Sequence, residues 1–198
     1  MTASAHVAHT VDLHLTATND VARWRPLVQP ILAIPHLLVA NVLGNLAGVL
    51  TLISWVTIVF TGRLPTGIAA MQVSILRYEA RTYSYALSLR AAYPAFELEQ
   101  TSTDPGTDPL RVDVAPQLEE RNRWTVGLRI VWILPALVFA TAITLTATIA
   151  VLGAFIAVLV TAHWPQRLHR FVTETGQLLL RVSAYSRLLV DDYPPFRL

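Results

Sequence analysis

Arginine and tyrosine four residues apart form the most distinctive chemical pattern in this 198-residue sequence. Arg81 precedes Tyr85, and Arg181 precedes Tyr185, so each pair shares one face of a helix. A guanidinium fork binds phosphate or carbonyl oxygens, and a tyrosine ring suits the depth of lipid headgroups. The pattern predicts an interface for anionic lipid or a protein partner at these four residues. The alternative is that each arginine braces its own hairpin from below and matters for folding rather than for lipid.

Other residue sets that could do chemistry are absent from the sequence. The chain has no cysteine, which excludes disulfides and thiolate metal sites. His36 is the only titratable side chain inside an apolar helix, and the second copy of that position is Ala136. There is no Gly-rich phosphate loop, no serine elbow and no pair of carboxylates. The sequence therefore predicts a protein that is not an enzyme and that has no cofactor and no metal site.

The elements that position these residues occur twice. Residues 23–98 recur as residues 123–198 without a gap, with 16 of 76 positions identical. Such self-similarity indicates two copies of one structural unit. The Arg–Tyr pair is among the retained positions, which suggests that it has the same role in both copies.

Each copy contains a long uncharged apolar stretch. Residues 26–62 and residues 130–166 hold 37 residues each without Asp, Glu, Lys or Arg. A single helix of that length would run about 55 Å, whereas a bilayer core is about 30 Å thick. Each stretch is therefore predicted to form a transmembrane hairpin of two helices. The composition, with 54% hydrophobic and 14% charged residues, agrees with a membrane protein.

Arginines set the predicted orientation. All 15 basic residues are arginine, and all lie outside the uncharged stretches. Because arginine accumulates on the cytoplasmic side, both termini and the central linker are predicted to be cytoplasmic, in a multi-pass protein of the cell (inner) membrane. An even number of crossings gives both copies one orientation, which is a parallel repeat. Trp24, Trp124 and Trp164 are expected in the aromatic belts. Nucleic-acid binding is not expected, since the arginines flank apolar segments.

An amphipathic helix follows each predicted hairpin and is expected on the cytoplasmic membrane surface. Short strands are expected at the cytoplasmic entrances, from residues 11–15 and 112–114, paired with Glu97-Leu98 or Arg197-Leu198. The predicted fold is thus an all-α membrane protein of two tandem parallel repeats. The predicted bounds are repeat 1 over 1–100 (hairpin about 27–62, interfacial helix about 66–92), a linker over 101–110, and repeat 2 over 111–198 (hairpin about 127–163, interfacial helix about 166–192).

Small and weakly polar residues recur along one side of the apolar stretches. They are Ala40, Asn41, Gly44, Ala47 and Gly48 in the first copy, and Ala140, Thr141, Thr144, Ala147 and Thr148 in the second. Helices in lipid associate through small residues, so the pattern predicts a packing seam. The other interpretation places the turn of the first hairpin at Gly44-Asn45.

Several short motifs together resemble a known family. They are Glu120-Arg121-Asn122-Arg123-Trp124, Ile34-Pro35-His36, Phe60-Thr61-Gly62-Arg63-Leu64-Pro65, Arg181-Val182-Ser183-Ala184-Tyr185 and Asp192-Tyr193-Pro194-Pro195-Phe196. The combination is similar to the bacterial membrane family named domain of unknown function four-three-eight-nine, which is often duplicated in actinobacterial proteins. The resemblance implies a multi-pass inner-membrane protein and carries no activity.

Two functions remain open from the sequence. The first is an accessory or scaffolding subunit that packs against a larger membrane complex or assembles with itself, in contact with the lipid bilayer and its anionic lipids. The second is a carrier of lipid or small molecules in a groove between the repeats. A cavity lined by Gln29, His36, Asn41 and Thr141 would favour the carrier.

Overall fold

The computed structural model describes residues 11–16, 21–98, 101, 103–106 and 108–195. Within these residues the elements in chain order are β1 (Val11–Leu15), α1 (Arg25–Leu32), α2 (Ile34–Thr61), α3 (Thr66–Ala86), β2 (Leu110–Val114), α4 (Arg123–Gly127), α5 (Arg129–Trp132), α6 (Leu134–Thr161) and α7 (Gln166–Ser186). The four long helices are α2, α3, α6 and α7.

Each apolar stretch forms a short helix followed by one unbroken helix of 28 residues, α2 or α6. The predicted hairpin turn at Gly44-Asn45 is therefore wrong, and so is the count of four crossings. The helix starts are set by Pro35 and Pro135, which lie in the first turn, where proline fits. A single glycine costs a helix only about 1 kcal/mol, so Gly44 does not break α2.

The real hairpins join a long apolar helix to the amphipathic helix that follows it. α3 runs back along α2: Tyr78 Oη lies 2.8 Å from His36 Nδ1, and the side-chain amide of Gln72 lies 3.4 Å from the Ser54 hydroxyl oxygen. α7 packs along α6 in the same way, with Leu178 against Ala140. Each amphipathic helix therefore packs along the long apolar helix that precedes it.

The two strands pair with each other. β1 and β2 form an antiparallel ribbon in which Val11 faces Val114 and Leu15 faces Leu110. The predicted pairing with Glu97-Leu98 is wrong, since these residues form no strand. The alternative partner, Arg197-Leu198, lies outside the described residues. Because β1 and β2 precede the two repeats at corresponding positions, their antiparallel pairing relates the repeats by an approximate two-fold axis.

The same symmetry reverses the direction of the long helices. The Val21 amide donates to Ala162 O at 3.0 Å, and the Arg121 amide donates to Gly62 O at 3.3 Å. The entrance of each repeat is thus bound to the end of the other repeat's long helix, and α2 and α6 run antiparallel. The prediction of a parallel repeat, with both copies in one orientation relative to the membrane, stays a prediction. It rested on an even number of crossings per copy, which the unbroken helices remove.

The protein has three layers. On one face of α3, Arg77 donates from Nε to Val112 O of the ribbon at 3.1 Å. On the opposite face of α3, Gln72 and Glu79 lie against α2. α7 repeats this pattern, because Gln177 donates to Val11 O of the ribbon at 3.0 Å. The ribbon forms the first layer, α3 and α7 the second, and α2 and α6 the third.

The third layer is apolar and largely uncovered. In the described residues, α2 and the segment Arg129–Thr161 are long and apolar enough to span a membrane, and only 17% and 22% of their most apolar windows are buried inside the protein. The core helix of a soluble protein would be mostly buried instead. The strongly exposed residues include Leu38, Val42, Leu52, Phe60, Val138, Leu145, Ile149, Ile156 and Val160. Contact of this apolar surface with water is unfavourable.

Candidate functional site

A mostly apolar cavity lies between the two repeats. Its volume is about 640 Å³. Leu76, Ala80 and Tyr83 of α3 form one wall, α6 and α7 form the other, and Leu13 and Leu15 of β1 face it from the ribbon. Most of these side chains are apolar, so the cavity suits an apolar molecule held by contact area.

A second cavity of about 380 Å³ lies at the related position in the other half. Gly48 and Leu52 of α2 line it, as Thr148 and Leu152 of α6 line the first. The two cavities are therefore symmetry-related openings beside the third layer. Neither is lined by Gln29, His36, Asn41 or Thr141, the residues expected around a carrier's groove.

An ion pair joins the repeats beside the larger cavity. Arg187 Nη2 donates to Glu79 Oε2 at 2.6 Å, and the side chains are only 15% and 13% exposed. Burial raises the pKa of the Glu79 carboxyl, although the charge of Arg187 acts to lower it. The corresponding positions in the other copies are Leu179 and Leu87, so this pair exists once and breaks the symmetry.

Gly44 makes room for this ion pair. A Cβ atom at Gly44 would lie 3.3 Å from Glu79 Oε1, closer than an ordinary contact. A Cβ atom at Gly48, one turn later, would meet nothing within 4 Å. A side chain at position 44 would therefore press against Glu79, whereas a Cβ atom at position 48 would contact nothing.

A second polar cluster ties the inter-repeat linker to α3. Asp104, 4% exposed, accepts from the amides of Val112 at 3.0 Å and Gly106 at 2.9 Å, and from Arg81 Nη2 at 3.0 Å. Burial alone would raise the pKa of Asp104, but the two amides, Arg81 and Arg77 together lower it. The segment predicted as a simple linker is thus fixed to the second layer.

A third cluster joins the entrance and the end of repeat 2. Asp191 Oδ1 accepts from Arg121 Nη2 at 2.6 Å and from Arg129 Nη2. Arg129 Nη1 also donates to Val190 O at 2.8 Å, as Gln29 donates to Arg90 O in repeat 1 at 3.0 Å. These contacts close each repeat.

His36 lies in a cluster of aromatic rings at the start of α2. Its Nδ1 is 2.8 Å from Tyr78 Oη, its ring stacks on Phe96 at 3.8 Å, and Tyr93 meets it edge-on at 4.7 Å. The side chain is fully buried. The histidine therefore anchors the end of repeat 1 onto α2.

The Arg–Tyr pair of repeat 1 points into the protein. Arg81 holds both carboxylate oxygens of Asp104 at 3.0 Å. Tyr85 is 4% exposed, and its ring meets Tyr93 edge-on at 5.3 Å. The arginine thus binds the linker, and the tyrosine binds the end of its own repeat.

The pair of repeat 2 has equivalent surroundings. Arg181 lies 3.7 Å from Asp12 of the ribbon. The ring of Tyr185 meets Tyr193 at 5.4 Å and carries the Arg129 guanidinium 4.0 Å above its centre. Both pairs thus contact neighbouring parts of the protein, and the lipid or partner interface at these residues stays a prediction.

The small residues of the apolar helices divide between two sides. Ala40 and Ala47 of α2 are buried against α3, and Ala140 and Ala147 of α6 are buried against α7. Gly44 and Thr144 are half-buried, while Asn41, Gly48, Thr141 and Thr148 are exposed. Helix contacts therefore involve only part of the predicted set, within each repeat.

Trp164 differs from its expected position in an aromatic belt. It is 2% exposed, and its Nε1 donates to Ser88 O at 3.2 Å. Trp24 and Trp124 are 54% and 83% exposed. From the sequence alone, a tryptophan that follows a helix and lies in an aromatic belt cannot be distinguished from one that packs against the neighbouring repeat.

Sequence reasoning missed Glu79, Arg187, Asp104 and Asp191 as organising residues. The sequence offered one chemical indication of their role. Few acidic residues lie outside the exposed loops, and a buried acidic side chain needs a cationic partner. Their cationic partners are 23 to 108 residues away, so spacing alone could not identify them. Among the described residues, no group of three or more His, Asp or Glu side chains could hold a metal ion.

Comparison with known families supports the duplication. The family described as Domain of unknown function (DUF4389) matches residues 23–97 and again residues 123–197, about three quarters of the chain. The chain belongs to this family. No curated protein and no solved structure gives a significant match. The two matches begin at Arg23 and Arg123, so the family unit comprises one entrance segment, one long apolar helix and one amphipathic helix.

Proposed function

We propose that this protein is a non-enzymatic membrane protein that serves as an accessory or scaffolding subunit, with α2 and α6 embedded in lipid. The single observation that supports this most is the uncovered apolar surface of these two helices. Soluble monomers rarely expose a contiguous apolar patch above a few hundred Å². Each Val, Leu or Phe side chain moved from water into lipid contributes about 1.5–3 kcal/mol. The many exposed residues of α2 and α6 together favour membrane insertion strongly.

An accessory role is supported by how the described charges are used. Glu79 binds Arg187, Asp104 binds Arg81, and Asp191 binds Arg121, so these groups hold the fold together. A scaffolding protein needs such a rigid body and exposed surfaces for contact. The proposal places the protein at the cell membrane with the ribbon and linker toward the cytoplasm.

The cavity supports a second candidate, a carrier of an apolar molecule. A volume of about 640 Å³ with mostly apolar walls fits a lipid chain or a small hydrophobic ligand. Mass spectrometry of lipids retained after purification in mild detergent tests this function. Replacing Gly176 in the cavity wall by Phe should reduce any retained ligand, with the exposed residue Gly153 replaced by Phe as the control.

The main proposal is tested by expression with a tag, fractionation and an alkaline wash of the membranes. The protein is expected to stay in the washed membrane and to bring defined membrane proteins, or further copies of itself, through purification in mild detergent. A protein found in the soluble fraction would refute membrane insertion. Retention in the membrane with no companion protein and a single copy per particle would refute the accessory role.

A further inference from the structure

We propose that α2 and α6 lie in the plane of a single membrane leaflet and do not cross the bilayer. This inference rests on the proposed membrane insertion and specifies its geometry. The lipid-facing surface is then the whole third layer, and the approximate two-fold axis stands along the membrane normal. The ribbon faces the water.

The ribbon lies level with the middle of α2. On α3, Gln72 is opposite Ser54 and Glu79 is opposite Gly44, so the α3 segment between them faces the central part of α2. Arg77 belongs to that segment and binds Val112 in the centre of β2. A line through the layers therefore passes from the middle of α2 to the middle of the ribbon.

A crossing α2 would place the ribbon at the centre of the bilayer. Arg111 and Asp113 point outward from β2 and form an ion pair at 2.7 Å, with side chains 49% and 34% exposed. Exposed charges are rare and unfavourable at that depth. A two-stranded ribbon also has two open edges, and open edges facing lipid do not occur in the hydrocarbon region. In-plane helices keep the ribbon in water.

Exposed arginines also flank both ends of the long helices. Arg23 and Arg167 lie at the end where α2 begins and α6 finishes, and Arg63 and Arg123 lie at the opposite end. Crossing helices would put these cations on both sides of the membrane, against the positive-inside rule. Helices in the plane put both groups at one anionic headgroup surface.

The thickness of the third layer fits one leaflet. A helix with side chains is about 10–12 Å across, and half of a bilayer core is about 15 Å thick. Interfacial helices insert by about 5–10 Å. The occupant of the apolar face is therefore lipid. A second copy of the chain is the alternative occupant, and the test below separates the two.

Single cysteines in this cysteine-free chain test the geometry. The variants are Arg23→Cys and Arg123→Cys at opposite ends, Arg111→Cys on the ribbon, and Val49→Cys on the apolar face of α2, where the residue is 56% exposed. An impermeant maleimide is applied to intact cells and to inverted membrane vesicles. The first three variants are expected to label together from one side only, and Val49→Cys is expected to resist labelling from both sides.

The results separate failure of the geometry from failure of the proposed function. Labelling of Arg23→Cys and Arg123→Cys from opposite sides would overturn the in-plane placement while leaving membrane insertion intact. A Val49→Cys protein that is soluble and freely labelled would overturn the membrane proposal itself. A soluble protein in which Val49→Cys is protected and cross-links to a second copy would assign the apolar face to a dimer instead. Joint labelling of the three variants from either side supports the in-plane placement.

Discussion

The ion pair between Glu79 and Arg187 allows a sharp test of how the repeats are joined. Both side chains are mostly buried, and the oxygen and nitrogen atoms are 2.6 Å apart. Removing one partner leaves an uncompensated buried charge, which costs about 3–5 kcal/mol. We therefore expect Glu79→Leu and Arg187→Leu each to lower the free energy of unfolding by that amount.

The double variant is expected to recover this loss. Leucine is the residue at both corresponding positions of the other copies, Leu179 and Leu87, so the fold already accepts it there. Replacing a buried pair by apolar residues is often neutral or stabilising by about 1–4 kcal/mol. The raised pKa of Glu79 agrees, since it shows that burial outweighs the attraction of Arg187.

Thermal unfolding of the detergent-solubilised protein measures the effect. For a chain of this size, about 1 kcal/mol corresponds to about 2–4 °C, so each single variant should lose about 6–20 °C. The matched control is the exposed i,i+4 pair of Arg170 and Glu174, whose replacement by leucine should change the stability by less than about 1 kcal/mol. Single variants as stable as the wild type, or a double variant as unstable as the two losses added, would refute a coupled pair.

The pH dependence follows from the same carboxyl. Because the pKa of Glu79 is raised in the folded protein, the folded state binds this proton more readily than the unfolded state. The stabilisation is complete below the ordinary pKa of 4.5 and is lost as the pH rises through the raised value. The Glu79→Gln variant should lack this stabilisation on mild acidification. An unchanged pH profile in that variant would show that another group is responsible.

Three further expectations concern small residues and the linker, and thermal unfolding in detergent checks each. Gly48→Ala should raise the free energy of unfolding by about 0.5–1 kcal/mol through helix propensity. Gly44→Ala should raise it less or lower it, because its Cβ meets a carboxylate at 3.3 Å. Equal stabilisation by the two variants would contradict this. Gly62→Ala should lower the free energy of unfolding by about 1–2 kcal/mol, since φ at position 62 is +75°. Ala162→Gly should not lower it, since φ at position 162 is +61°. Asp104→Asn should lower the free energy of unfolding by about 1.5–3 kcal/mol at neutral pH. This difference from the wild type should shrink as the pH falls through the lowered pKa of the wild-type carboxyl, below 3.8. A difference that does not depend on pH would refute the charge-based reasoning.

The sequence identified the repeat, the family and the two apolar segments. Self-similarity and composition are properties of the chain itself, and no tertiary contact can change them. Strand β1 was also predicted at its observed position from alternation alone, and residues 112–114 were predicted within β2, which begins two residues earlier. Their partners were not, because pairing depends on how the repeats pack.

The hairpin prediction failed for a physical reason. It compared the length of the uncharged stretch with the thickness of a bilayer and assumed that the helices cross it. Pro35 and Pro135 instead divide each stretch near its beginning, and a helix of 28 residues, about 42 Å long, continues past Gly44. Length alone cannot distinguish a crossing from a placement along the surface.

The role of the Arg–Tyr pairs could not be read from spacing either. A shared helical face is equally suited to lipid and to protein, and the partner determines which applies. Asp104 and Tyr93 are distant in sequence and belong to segments that looked like linker and tail. Retention of the pair in both copies indicates a shared role, and in the structure both tyrosines contact the end of their own repeat.

Duplication gives one more argument about the membrane. When antiparallel repeats cross a bilayer, the same flank of each copy lies on opposite sides, and the positive-inside rule then favours different charges at corresponding positions. Here the flanks are the same: Arg23-Trp24 in the first copy and Arg123-Trp124 in the second, with both tryptophans exposed. Corresponding residues meet identical surroundings only if the two-fold axis stands along the membrane normal. If the crossing arrangement were correct, Arg123→Glu should favour one insertion topology and raise the yield of inserted protein. In-plane insertion instead predicts that Arg123→Glu weakens the free energy of binding to anionic vesicles, by about 1 kcal/mol for each lost cation.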